Sequence, residues 1–215
     1  MERKQGSPTF QGEAESFNVH YEDRLGGCAL GGDGATYYPE MWNYMLEKYG
    51  IESVIDVGCG GGMSTDYFHG LGLDTKGVEG SSVACESANK MIGTSIVDQH
   101  DYEVDGPYIP KQEYDLCWSC EFVEHVNEEH ANNFLETFKS CRFVAMTFAG
   151  KGQGGHHHVN EQPAEYWIAK LDEIGFDFLA QDTLELKEVA KADYAKYSPL
   201  YQSHFISRGL LFKRR

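Results

Sequence analysis

Apolar and polar positions along the chain change their period several times. Met41, Trp42, Met45, Leu46 and Tyr49 recur at helical spacing between Pro39 and Gly50, which predicts a helix over 39–49 with proline in its first turn. Ser53 to Val57 is a short apolar run that stops at a glycine cluster, so it predicts a buried strand entering a tight turn. The alternation continues with a helix over 63–71, a strand over 75–79, and a helix over 81–91 with Ser81 as its N-cap. Strands follow at 94–97 and 114–119, a helix at 128–140, and a strand at 142–148. Pro163 opens a helix that Gly175 ends, and 176–180 and 204–212 read as two final strands. A helical stretch over 184–196 separates those two strands. The connection is too long for a hairpin and reads as a substrate lid or an oligomer contact. Strands alternating with helices predict an α/β fold, a parallel sheet covered on both faces.

Residues 1–36 are polar and glycine-rich, so the chain divides into an N-terminal segment with its helix (1–50), expected to cover the site, and a main domain (51–215). The charge narrows the choice of partner. With 18 Lys and Arg against 34 Asp and Glu, the net charge of −16 argues against nucleic acid or an anionic membrane as the main partner. No window is apolar enough for a transmembrane helix, and the polar start lacks the apolar core of a signal peptide. The six cysteines lack paired metal-site spacing, and Cys117-x-x-Cys120 falls in a strand rather than at a helix start. Core thiols in a cytoplasmic protein are the expectation.

The strongest chemical signal is Val54-Ile55-Asp56-Val57-Gly58-Cys59-Gly60-Gly61-Gly62. Its glycines let a ligand approach the backbone at the carboxyl end of the first strand, where open α/β sheets bind ligands. The following helix N-terminus offers unpaired N–H groups to an anion. Glu79 ends the second strand, where a carboxylate can accept both hydroxyls of a ribose. Met63 stands where a dinucleotide fingerprint would carry its third glycine, which disfavours an NAD-dependent oxidoreductase.

The placement of Asp56 ahead of Gly58 and Gly60 instead resembles the class I S-adenosylmethionine-dependent methyltransferases. Glu79 matches that family's ribose-binding acid. Asp101, in His100-Asp101-Tyr102, resembles the residue that contacts the adenine amino group, with Asp98 as the alternative. Tyr114 to Glu121, followed by Val123-Glu124-His125-Val126, resembles the family's fourth-strand segment. The resemblance implies a Rossmann-like three-layer sandwich whose mostly parallel seven-stranded sheet has an antiparallel last strand. It implies S-adenosyl-L-methionine as cofactor, with Asp56, Gly58 and Gly60 at its methionine end, Glu79 on ribose, Asp101 on adenine and Glu121 near the methyl donor.

Gly154-Gly155-His156-His157-His158-Val159-Asn160 follows the fifth strand and therefore shares the sheet edge with the glycine loop. A neutral imidazole suits removal of a proton from an attacking hydroxyl, which makes His158 or His157 the candidate base and His125 a further one. The same histidines could instead line the loop and cap the helix at Pro163. A metal site on His156 and His158 would need a third ligand, and no metal is expected. Tyr21, Tyr37, Tyr38 and Trp42 either close over the cofactor or pack the first helix on the sheet. The expected reaction is O-methylation of a small-molecule or glycan acceptor, such as a sugar hydroxyl. N- or carboxyl-methylation of a small metabolite and a non-catalytic Rossmann-like protein are the alternatives.

Overall fold

A computed structural model describes residues 19–22, 24–29, 33–197 and 203–215. The chain begins with a hairpin of β1 (Val19–Glu22) and β2 (Gly26–Ala29), then α1 (Pro39–Tyr49). The alternating region runs β3 (Ser53–Val57), α2 (Met63–Gly70), β4 (Asp74–Glu79), α3 (Ser82–Ile92), β5 (Val97–Gln99), β6 (Tyr114–Ser119), α4 (Ala131–Lys139) and β7 (Cys141–Met146). It closes with α5 (Ala164–Glu173), β8 (Phe176–Phe178), α6 (Ala180–Tyr197), α7 (His204–Arg208) and β9 (Leu210–Arg214).

The seven-stranded sheet has the order β5-β4-β3-β6-β7-β9-β8. Strands β5, β4, β3, β6 and β7 pair in parallel, and β9 lies antiparallel to both β7 and β8. The Rossmann-like fold and the antiparallel last strand are therefore as the sequence led us to expect.

Period-two alternation sorts the strand residues between two apolar layers. Ile55, Val57, Cys117, Val144 and Phe212 point toward Phe134 and Phe138 of α4 and Trp167 of α5. Val54, Leu116, Trp118, Ala145 and Leu211 point the other way, toward Trp42 of α1, Phe68 of α2 and Leu186 of α6. Tyr37, Tyr38 and Trp42 are fully buried in this second layer, so they pack α1 on the sheet. The side chain of Tyr21 lies outside the described residues. Cys117 and Cys120 are free thiols, and burial pushes both well above their usual pKa, which does not suit redox chemistry. Among the described residues no helix is long and apolar enough to cross a membrane.

Three elements differ from the sequence reading. The strand expected over 94–97 forms at Val97–Gln99, because Thr94 and Ser95 are exposed and the Asn89 side chain brackets Val97. The 3-10 turn Glu128–His130 precedes α4, so the helix starts later than 128. The strand expected over 204–212 is in fact α7 followed by β9. Ser203 caps the helix by accepting the Ile206 N–H, and Gly209 separates the two elements. A short apolar run does not distinguish helix from strand by period alone.

The helix foreseen over 184–196 is α6, and it fastens α1. Lys48 pairs with Asp182 at 2.8 Å and with Glu185, while the Tyr49 hydroxyl donates to Asp182 at 2.7 Å. Tyr38, the residue before α1, provides no side-chain cap. The cap comes from α6, where the buried Asp193 carboxylate accepts the N–H groups of Glu40 at 2.9 Å and Met41 at 3.0 Å. This satisfies donors that a helix start leaves unpaired. Burial raises the Asp193 pKa to about 6, so desolvation offsets part of the gain. Asp193→Ala is expected to lower stability by about 1–2 kcal/mol in chemical denaturation at neutral pH. An unchanged midpoint would show that the cap is dispensable.

Candidate active site

The parallel strands place their carboxyl ends along one line, and the loops leaving them build one wall. Asp101 follows β5, Glu79 ends β4, the glycine turn follows β3, Glu121 follows β6 and Thr147 follows β7. A cavity of about 740 Å³ opens along this edge, a size suited to a nucleoside-sized ligand. The hairpin also lines it, through Leu25, Gly26, Gly27 and Cys28.

Asp56 shares the face of β3 that looks toward α2. Its Oδ2 accepts hydrogen bonds from the Ser64 hydroxyl at 2.6 Å and the Thr65 hydroxyl at 2.7 Å. This ties strand to helix across the glycine turn. Gly58 has φ +72°, and a Cβ there would run into the Phe122 ring, so only glycine fits. Glu79 closes the turn from the neighbouring strand. Its two oxygens accept the Gly60 N–H at 2.7 Å and the Ser81 N–H at 2.8 Å. A carboxylate oxygen can accept more than one hydrogen bond, so these two bonds do not by themselves exclude a ligand diol.

Of the two adenine candidates, Asp101 lies in the cavity wall, ion-paired with Arg24 of the hairpin turn. Asp98 is instead bonded to Lys76 and the Tyr108 hydroxyl, both at 2.7 Å. The residues at this end suit an adenosine-bearing ligand: two carboxylates for hydroxyl and amino donors, and a glycine turn leaving backbone accessible.

The other end of the cavity is rich in imidazole. His125, His156, His158 and His204 line it, whereas His157 does not. Glu121 sits there at φ +53°, an uncommon backbone state for a non-glycine residue. Its Oε1 accepts from the Thr147 hydroxyl at 3.0 Å, and its Oε2 lies 2.8 Å from His204 Nδ1. Burial alone would raise the Glu121 pKa. The contact with His204, the Thr147 bond and the Arg208 charge outweigh that and hold it below the usual range.

His125 directs Nδ1 at the His157 carbonyl, 3.1 Å away. Burial and then the neighbouring His158 lower its pKa to about 4, so the ring is neutral at pH 7. His158 Nδ1 lies 3.4 Å from Glu161, whose carboxylate accepts the N–H groups of Gly152 and Gly154. Glu124 is fully buried, and burial, followed by the Glu121 charge, pushes its pKa well up.

His204, Thr147, Glu124 and Arg24 were not singled out from sequence. Ser203 before His204 and Gly209 after it are a readable cap and stop for a short helix, and that was the available signal.

The buried Asp56 also has a consequence for stability. Burial raises its pKa from 3.8 to about 6 against the lowering effect of Ser64 and Thr65. The native carboxyl therefore keeps a proton that the unfolded chain releases, and stability falls as pH rises from about 4 to 6 and stays lower above that. Asp56→Asn is expected to make the ligand-free protein more stable at about pH 7.5, by at most on the order of 3 kcal/mol, with the difference vanishing below about pH 4. Denaturant titrations of both proteins across this range check it, and a pH-independent difference would contradict it.

A family model described as a methyltransferase domain matches residues 55–142. A search of curated proteins gives no match. Among solved structures, the plantazolicin methyltransferase BpumL in complex with SAH is 15% identical, with 83% of each chain covered and a TM-score of 0.58. A TehB-like SAM-dependent methyltransferase from Corynebacterium glutamicum is 16% identical, with 83% of this chain and 88% of that one covered and a TM-score of 0.56. The [4+2]-cyclase SpnF is 15% identical over 85% of each chain, with a TM-score of 0.52. At such identities the likeness is one of fold, and a fold hosts more than one reaction. The family match over β3 to β7 adds what the fold alone does not carry. Residues 55–142 form a methyltransferase domain with the fold of S-adenosylmethionine-dependent methyltransferases, and S-adenosylmethionine is the cofactor of that domain.

Proposed function

We propose that this methyltransferase acts on a hydroxyl oxygen of a small polar acceptor, a sugar hydroxyl being the leading case. The observation that carries the reading is the His204–Glu121 pair on the same cavity as the cofactor residues. The acidic chain, at −16, supports a small acceptor over a nucleic acid.

When bound, S-adenosylmethionine supplies a methyl group on a positively charged sulfur, an electrophile that needs an oxygen placed in line. In our reading Asp56, Gly58 and Gly60 hold the methionine end, Glu79 the ribose and Asp101 the adenine. Glu121, whose two oxygens meet Thr147 and His204, has a further role in our reading. It orients His204. In our reading His204 keeps its proton on Nδ1, 2.8 Å from the carboxylate, and Nε2 is left to take the acceptor's hydroxyl proton. His204 thus assumes the base role first given to His158. His157 serves through its carbonyl, which fixes the His125 ring. Positioning contributes on the order of 7–11 kcal/mol in such displacements, and a general base about 10²–10⁴-fold.

His204→Ala and Glu121→Gln are expected to lower kcat by about 10²–10⁴-fold while S-adenosylmethionine affinity changes little. The assay is conversion of S-adenosylmethionine to S-adenosylhomocysteine against a panel of sugars, phenols, amines and carboxylic acids. Turnover confined to amines or carboxylic acids would overturn the hydroxyl assignment, and wild-type rates in both variants would remove the base.

A further inference from the structure

The wall beyond the His204–Glu121 pair holds groups that methyl transfer does not yet use. Glu124 follows β6 in the 3-10 turn Val123–His125 and is fully buried. Neither of its carboxylate oxygens has a hydrogen-bond partner, and among the described residues no ion pair reaches it. A buried carboxylate left in this state is costly, and native proteins pair such groups or use them to bind cations. Two imidazoles stand beside it. His125 is its chain neighbour, and His158 arrives on the loop after β7, with the two rings edge to face at 5.1 Å between centroids. One donor atom from each of Glu124, His125 and His158 can be chosen so that all three lie within 4.8 Å of one another.

The surroundings of the rings match those of metal-binding histidines. The His157 carbonyl only accepts, so His125 carries its proton on Nδ1 and presents the lone pair of Nε2. His158 has a carboxylate 3.4 Å from its Nδ1, and that carboxylate is itself held by two backbone N–H groups. An outer hydrogen bond from one ring nitrogen to a carbonyl, as His125 makes, is how metal-ligating histidines are oriented. Gly155 lies against the His158 ring, where a Cβ would run into its Nε2.

We propose that Glu124, His125 and His158 bind one divalent cation of the borderline class, such as Zn²⁺, Mn²⁺, Fe²⁺ or Co²⁺, at the acceptor end of the cavity. Two imidazoles and one carboxylate favour these ions over Ca²⁺ or Mg²⁺, which prefer all-oxygen sets. Three protein ligands leave coordination positions open, as catalytic rather than structural sites do. With His125 and His158 on the cavity wall, those positions face the acceptor. Its hydroxyl oxygen would bind there, lose its proton more readily to His204 and be held for attack. The cation site stands on the three side chains alone, whereas its use in gripping a hydroxyl rests on the proposed O-methylation. The third ligand missing from a His156–His158 pair is thereby found, with His125 in place of His156.

The test uses the whole protein, stripped with a chelator and titrated with Co²⁺. The expected result is one Co²⁺ per chain with the visible absorption of a nitrogen-ligated ion. Glu124→Gln and His158→Ala should each weaken binding by at least about 10²-fold, beyond the usual cost of losing an outer-shell partner. S-Adenosylhomocysteine binding by calorimetry identifies variants that keep their fold. Should a variant lose it, the Co²⁺-loaded wild type decides: two exchangeable, paramagnetically shifted imidazole N–H resonances support the site, and their absence overturns it. No binding by the wild type, or equal binding by a folded His158→Ala protein, also overturns it. A protein that binds Co²⁺ as described yet methylates only amines would refute the hydroxyl reading and leave the cation site standing.

Discussion

The buried carboxylate of Asp56 is the constraint on which the glycine-turn end of the cavity depends. It sits at the end of a strand with apolar neighbours on both sides, where a charge is disfavoured, and it is retained with two hydroxyls of α2 bonded to one oxygen. Those bonds fix how α2 leaves the glycine turn. Glu79 then secures the turn from β4 through Gly60 and from the next helix start through Ser81. Two carboxylates on adjacent parallel strands thus shape a loop that has few side chains of its own. The cost is a site less stable than an apolar one, and that tension is common where function sets the residue.

The two ends of the cavity edge differ in how their polar groups are satisfied. Around β3 and β4, Asp56 and Glu79 have defined partners within the chain, and the geometry is preorganised. Around β6 and β7, a left-handed Glu121, an unpartnered Glu124 and several imidazoles crowd together. Strain and unpaired buried groups persist only where the surrounding structure enforces them, and they concentrate at functional sites.

The parallel core was legible because its signals are local. Strands β3, β4 and β6 and helices α1 and α3 carry their own periodicity, Pro39 and Ser81 mark helix starts, and Gly58 ends a strand. Asp56 stood out from its place before the glycines, whereas its partners Ser64 and Thr65 emerged only with the structure. Elements near the end of the chain were harder. His204–Arg208 is only 5 residues long, so its apolar pattern fits helix and strand alike, and His204 was hidden inside an expected strand. The helix over Ala180–Tyr197 was visible, but its task was not, because Asp193 acts on amides more than 150 positions away.

By itself the sequence determined the fold class and the cofactor and marked candidate residues to meet it, since those follow from spacing within single strand–turn–helix units. Tertiary structure alone decided which imidazole meets which carboxylate. Glu124 and His125 come from the loop after β6, His158 from the loop after β7, and His204 from a helix between the last two strands. Their proximity depends on strand order and on how each loop folds over the edge. No periodicity along the chain records distances between segments that meet only through the sheet.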